Sequence, residues 1–178
     1  GERWLDPDFF ALGGRHMLLY TEPGGPRYHI GDYHGRRFYP ERGGIVDHGP
    51  QFDSGRTLLD KHGRRVLFGW IEEDRPIDAF VDEGWAGAMS LPRVLDLQDG
   101  SLRIDVAPEA RALGEPDGEY ADVVLETSHS WRVEEARGDC VEIEAELDVG
   151  HADVVGLKLR RSPGGEEETL VYYRPADG

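Results

Sequence analysis

The sequence contains one cysteine, Cys140, in 178 residues. A lone thiol excludes an internal disulfide and any cysteine-based zinc site, so the fold must rest on packing and hydrogen bonding. No apolar run approaches the ~20 residues that a membrane-spanning helix needs, and no membrane partner is expected. Basic residues are scarce: 20 Lys and Arg stand against 36 Asp and Glu, a net charge of −16. Phosphate backbones are bound by basic faces, so nucleic acid is not an expected partner either. The shortage is uneven, with 17 acids against 13 bases up to Ile104 and 19 against 7 from Asp105 onward. The acidic second half reads as a solvated surface. P-loop and Rossmann glycine patterns are missing. Ser54 and Ser90 lack the G-x-S-x-G setting of a serine hydrolase, and His29, His34 and His48 lack a tight ligand pattern such as H-E-x-x-H. Neither a metal nor a cofactor is expected. Gly1-Glu2-Arg3-Trp4 shows no start methionine and no signal-peptide pattern, so the chain reads as an interior piece and names no compartment. No convincing amphipathic helix is present, and PEARALGEP allows one or two turns before Gly114 ends them.

Glycine and proline are plentiful, 24 and 11 residues, and they fall between short apolar runs. They act as turn punctuation in an all-β protein. Gly13-Gly14 divides DFFALGGRHMLLYTE into a hairpin, the breaker Pro23-Gly24-Gly25-Pro26 follows, and His34-Gly35 separates two aromatic-rich strands. Lys61-His62-Gly63 turns into RRVLFGWIEE, an acidic connection with one proline follows, and GWAGAMSLPRVLDL leads to the hairpin signal Asp99-Gly100. Strands in antiparallel succession at this spacing predict a sandwich or a propeller. Downstream the pattern changes. In DCVEIEAELDVG, Val141, Ile143, Ala145 and Leu147 share one face and Glu142, Glu144, Glu146 and Asp148 the other, which predicts a half-buried strand of a two-sheet sandwich. DVVLETSHSWRVEE, VVGLKLRRS and ETLVYYRP alternate in the same way.

Carboxylates cluster at turns in the first half: Asp6, Asp8, Asp32, Asp47 and Asp53. Paired carboxylates at strand ends are what glycoside hydrolysis requires, although Asp beside Gly and Pro is also ordinary turn chemistry. Trp4, Phe9, Tyr28, Tyr33 and Trp85 are placed either to stack on sugar rings or to pack a core. Unaided, these residues support an all-β, carbohydrate-active protein and stop there.

Five segments occur in a familiar order: WLDPDFFALGGRHMLLYT, YHIGDYHGRRF, DHGPQFDSGRTLLD, GRRVLFGWIEE and GWAGAMSLPR. With GEEETLVYY they resemble glycoside hydrolase family 32, the invertases, sucrose-6-phosphate hydrolases, levanases and inulinases. The resemblance implies a partial five-bladed β-propeller over residues 1–100, beginning near the third blade, and a truncated C-terminal β-sandwich over 101–178. It implies retaining hydrolysis of terminal β-fructofuranosides such as sucrose, levan or inulin, a fructoside ligand and no cofactor. The departures are equally informative. The W-M-N-D-P-N-G motif carrying the family's nucleophile and the R-D-P motif carrying its stabilising Asp are both missing. In the segment matching W-E-C-P-D-F-F, Leu5 occupies the place of the acid/base Glu. Asp6, one residue on, is a displaced candidate that would point to the opposite face of a regular strand and could serve only at a bulge. His34 takes the place of the family's sugar-binding Asp, Arg37 resembles its basic partner, and Asp53 replaces a tyrosine. Together with Trp85 these are the candidate substrate-binding residues. The chain alone is expected to be inactive, and to self-associate unless further N-terminal blades cover its open faces. The alternative is a diverged, non-catalytic carbohydrate-binding module or partner subunit.

Overall fold

Gly13 and Gly14 take φ of 55° and 78°, the positive values of a primed two-residue turn. They fold β1 (Leu5–Leu12) back onto β2 (Arg15–Glu22). In the computed structural model, which describes residues 4–115, 118–134, 138 and 140–177, this hairpin opens a four-stranded antiparallel sheet. β3 (Gly25–His34) and β4 (Arg37–Ile45) complete it in the order β1-β2-β3-β4. The turn between β3 and β4 is Gly35-Arg36, both at positive φ, one residue beyond the expected His34-Gly35; His34 is the last strand residue and pairs with Arg37.

A second antiparallel sheet repeats the plan. It runs β5 (Phe52–Leu59), β6 (Arg65–Ile71), β8 (Arg93–Gln98) and β9 (Ser101–Val106), with the two-residue β7 (Ala88–Met89) added to β6. The Asp99-Gly100 hairpin joins β8 to β9, so residues 101–106 are a strand of this sheet. Between β6 and β7 lies a helix absent from the sequence expectation, α1 (Ile77–Glu83), with Pro76 at its N-cap and Gly84 in the left-handed conformation at its end. Both are ordinary helix punctuation. Ile77, Phe80 and Val81 do stand at i, i+3 and i+4, but the run is only seven residues long and α1 buries none of its residues. A second short helix, α2 (Pro108–Arg111), is the single turn that PEARALGEP allows.

The two sheets pack face to face. Phe10, Leu12, Met17, Leu19 and Ile30 of the first, with Val46 beyond β4, meet Phe52, Leu67 and Leu95 of the second in one core. A Cβ on Gly69 would fall inside the Phe52 ring, so this close approach requires glycine. At ~25 cal/mol per Å2 of buried apolar surface, a few such large side chains supply most of the unit's stability.

The chain divides into two compact units, Gly1–Leu113 and Gly114–Gly178. In the second, β10 (Val155–Leu159) and β11 (Thr169–Tyr173) form one antiparallel hairpin. The strands expected in DVVLETSHSWRVEE and DCVEIEAELDVG are not formed among their described residues. Alternation marks which face a strand would bury, but a strand also needs a neighbour for its backbone groups. Among the described residues, no strand is laddered against Val141–Asp148, and Val141, Ile143 and Leu147 are exposed. Part of the DVVLETSHSWRVEE and DCVEIEAELDVG expectations, residues 135 and 139, lies outside the described residues.

Candidate functional site

The first strands of the two sheets, β1 and β5, begin with the same irregularity. In β1, Leu5 pairs with Thr21 and Asp8 with Leu19, so Asp6 and Pro7 together oppose one residue. In β5, Asp53 pairs with Trp70 and Arg56 with Phe68, so Ser54 and Gly55 do the same. Each is a β-bulge, and the first residue of each has positive φ, 52° at Asp6 and 49° at Ser54. Neither is glycine, so both carry a backbone cost that surrounding contacts must offset. The bulge on which a role for Asp6 depended is therefore present.

The contacts that hold these bulges join the two sheets. Ser54 Oγ donates to Asp6 Oδ2 at 2.9 Å, and Arg56 Nη2 donates to Asp6 Oδ1 at 2.9 Å. Arg56 Nη1 also donates to the backbone carbonyl of Asp6. Two residues along, the backbone N–H and hydroxyl of Thr57 both donate to Asp8 Oδ2, at 2.8 and 2.7 Å. Asp6 thus accepts on both oxygens in an inter-sheet latch, and Asp8 pins the same seam. Leu5, directly before the first bulge, is 44% exposed at the start of β1. Asp53, directly before the second, has a buried Oδ1 with no hydrogen-bond partner among the described residues.

The other candidates lie elsewhere. His34 stacks on Tyr39 with ring centroids 4.4 Å apart, and Arg37 sits 5.3 Å from the same ring. The register puts that cluster at the far end of the sheet. Leu5 is level with Thr21 and Pro26, and His34 is eight residues further along β3, on the order of 25 Å at 3.3 Å per residue. His34 and Arg37 do not converge with Asp6 and Asp53.

Trp85 belongs to the connection that leaves β6 after Ile71, whose partner is Phe52, so this excursion starts at the Asp53 end. Arg75 lies 4.0 Å above the Trp85 ring and donates to the Trp85 carbonyl. Glu73 accepts twice from the Arg75 side chain, at 2.9 and 2.8 Å, and from the backbone N–H of Arg75 and Gly87. The Arg75 side chain first, and those backbone donors after it, hold the Glu73 carboxyl down at about 2, against an ordinary value of 4.5. Trp85 is 55% exposed. It is a fixed aromatic surface on that excursion, with one face occupied by a guanidinium. The bulges, Arg56 and Glu73 escaped the sequence reading. The first two depend on contacts about fifty residues apart; the Glu73-Asp74-Arg75 run was visible only as an acidic connection.

A shallow groove of about 520 Å3 opens in the same unit, lined among others by Asp47, His48, Met89, Ser90 and Arg93. Its polar groups answer one another: Arg93 pairs with Asp47, and Ser90 Oγ bridges the Gly69 N–H and the Leu91 carbonyl.

The comparisons with known proteins agree with this plan. The model for the glycosyl hydrolases family 32 N-terminal domain matches residues 4–107, and the model for the family's C-terminal domain matches 115–178. The sucrose-6-phosphate hydrolase of Zymomonas mobilis is 30% identical over 95% of this chain and 35% of its own length. That of Bacillus subtilis is 34% identical over 64% of this chain and 27% of its own. Among solved structures, fructan 1-exohydrolase IIa from Cichorium intybus in complex with 1-kestose superposes with a TM-score of 0.59 at 26% identity, covering 65% of this chain and 27% of that one. The chain spans between 27% and 35% of the length of these relatives. The family's solved members are β-propellers followed by β-sandwiches, and the two antiparallel sheets are built as propeller blades. With both of its domain models matched in order, the chain belongs to glycoside hydrolase family 32.

Proposed function

We propose that this chain is part of a β-fructofuranosidase-type hydrolase that cleaves terminal β-fructofuranosides, such as sucrose, levan or inulin, with retention and without a cofactor. The observation that carries this reading is the ordered match to both family domains, shared with relatives named for sucrose-6-phosphate hydrolysis. A fructoside is the ligand this reading implies, and a structural neighbour was solved with 1-kestose. The 178-residue chain by itself is inactive, because two carboxylates are needed and the motifs for the nucleophile and the stabilising Asp are not in its sequence. Fructose assays on sucrose and inulin test both statements. The longest product of the gene should release fructose and the isolated chain should not; release by the isolated chain overturns the second statement.

One observation favours a second reading, a carbohydrate-binding module or partner subunit without catalysis. Leu5 stands exposed where the family places its proton donor, and a leucine has no proton to give. Saturable calorimetric binding of a fructoside by the longest gene product, with no fructose released, would select it.

The isolated chain also leaves sheet faces bare. Phe9, Tyr33 and Ile45 are exposed on the face of the first sheet turned away from the core. Such faces associate. Light scattering on the purified chain should give particles heavier than its 19.9 kDa mass; a clean monomer contradicts this.

A further inference from the structure

Three carboxylates stand at the start of β1 and β5, and two of them accept hydrogen bonds from the other sheet. Asp6 accepts from Ser54 and Arg56, and Asp8 accepts twice from Thr57. Asp53 differs. Its Oδ1 is buried and meets no donor among the described residues, a costly state that a ligand or a transferable proton would relieve. Register gives its address. Asp53 pairs with Trp70 just before the Ser54-Gly55 bulge, as Leu5 pairs with Thr21 just before the Asp6-Pro7 bulge. The two are the same position in successive blades, and Ser54 and Asp6, one residue beyond each, are hydrogen-bonded to one another. The carboxyl group missing from position 5 is thus present at the equivalent position of the next blade.

We propose that Asp53 is the proton donor of this protein, a catalytic residue that replaces the acid lost at Leu5. The inference rests on the fructofuranosidase reading. In the first step the Asp53 carboxyl gives its proton to the glycosidic oxygen, the bond from that oxygen to the anomeric carbon breaks, and the bonding pair leaves with the aglycone as an alcohol. The anomeric carbon is captured by a carboxylate outside residues 4–107. In the second step Asp53, now ionised, takes a proton from water as that water attacks the anomeric carbon, and fructose and the free carboxylate are released. Asp6 has no proton-transfer role here; with Arg56 and Ser54 it fixes the bulges that set the direction of the residues before them.

The test uses the longest natural product of the gene and two substrates, sucrose and an aryl β-fructofuranoside whose phenolate leaves without protonation. Asp53→Asn is nearly isosteric, and its melting curve checks folding. Its kcat/KM on sucrose should fall about a thousandfold, within the range for a lost general acid, while the aryl fructoside loses less than about tenfold. Asp53→Glu, which keeps a carboxyl, should retain more sucrose activity than Asp53→Asn. Equal losses on the two substrates make Asp53 a binding group and overturn the proposal, as does unchanged activity. If the natural protein is inactive on both substrates but Leu5→Glu releases fructose, the proposal fails and the fructofuranosidase reading stands. If neither protein releases fructose, both fail together.

Discussion

The two units of this chain carry the same kind of alternating sequence, and only one turns it into a core. Every buried residue among those described belongs to the first unit; from Pro108 onward none is buried. In the first unit, Phe10, Met17, Leu19 and Leu67 face one another across two paired sheets. In the second, Val141, Ile143 and Leu147 alternate as regularly, yet among the described residues no strand is laddered against them. The difference teaches that alternation selects a face, whereas burial requires a second surface. The uneven charge adds to it, since the glutamates of the second unit repel one another with little apolar contact to oppose them.

Amide hydrogen exchange offers the broadest way to break this comparison. Protection in the first unit should follow β1–β6, β8 and β9, with the central strands exchanging several orders of magnitude more slowly than unpaired backbone. Residues 118–134 and 140–154 should exchange almost freely, and only the β10–β11 hairpin should show protection in the second unit. Slow exchange across Val141–Asp148 would mean that the half-buried strand forms after all.

Paired truncations sharpen the contrast at single residues. Leu67→Ala, at a position with 0% exposure, should cost about 2–5 kcal/mol in the denaturant unfolding of the first unit. Val124→Ala, at 88% exposure, should change stability by less than about 0.5 kcal/mol. A comparable loss at both sites would show that the second unit is packed in solution.

The smallest effect is electrostatic and lies within the first unit. The folded Glu73 carboxyl, at about 2, lies below its ordinary 4.5. A depressed acid contributes stability above the unfolded value and loses it as pH falls through the folded one. The Glu73–Arg75 clamp should therefore be intact at neutral pH and loosen between about pH 4.5 and 2. Trp85 fluorescence should report that loosening, and in Glu73→Gln the low-pH transition should be absent. An identical pH profile in the variant would remove Glu73 as its origin.

Much of the first unit could be read from turn chemistry alone. Gly13-Gly14 and Asp99-Gly100 specify hairpins through positive φ, and the strands beside them follow by alternation. Family membership was legible because its motifs sit on those strands and turns. Residue roles were harder. Whether Asp6 lies in a regular strand or a bulge is decided by Arg56 and Ser54, far along the chain, and no local propensity encodes that contact. His34, Arg37 and Asp53 all fell on substrate-binding motifs of the family, but strand register puts His34 and Arg37 most of a blade's length from the β1 end where Asp6 stands. Helix α1 escaped notice because its apolar pattern, Ile77, Phe80 and Val81, spans only seven residues between its end signals.

The latch between Asp6 and Ser54 has a consequence for the order of folding. Its partners are 48 residues apart, so it closes a long loop, and closure entropy delays such contacts relative to the local hairpins. The β1–β2, β3–β4 and β8–β9 hairpins can each form early, from neighbours in sequence. The strained residues at 6 and 54 have nothing to hold them in place until both sheets have docked. The start of β1 and β5, where Leu5 and Asp53 stand, is then the last part of the first unit to take shape.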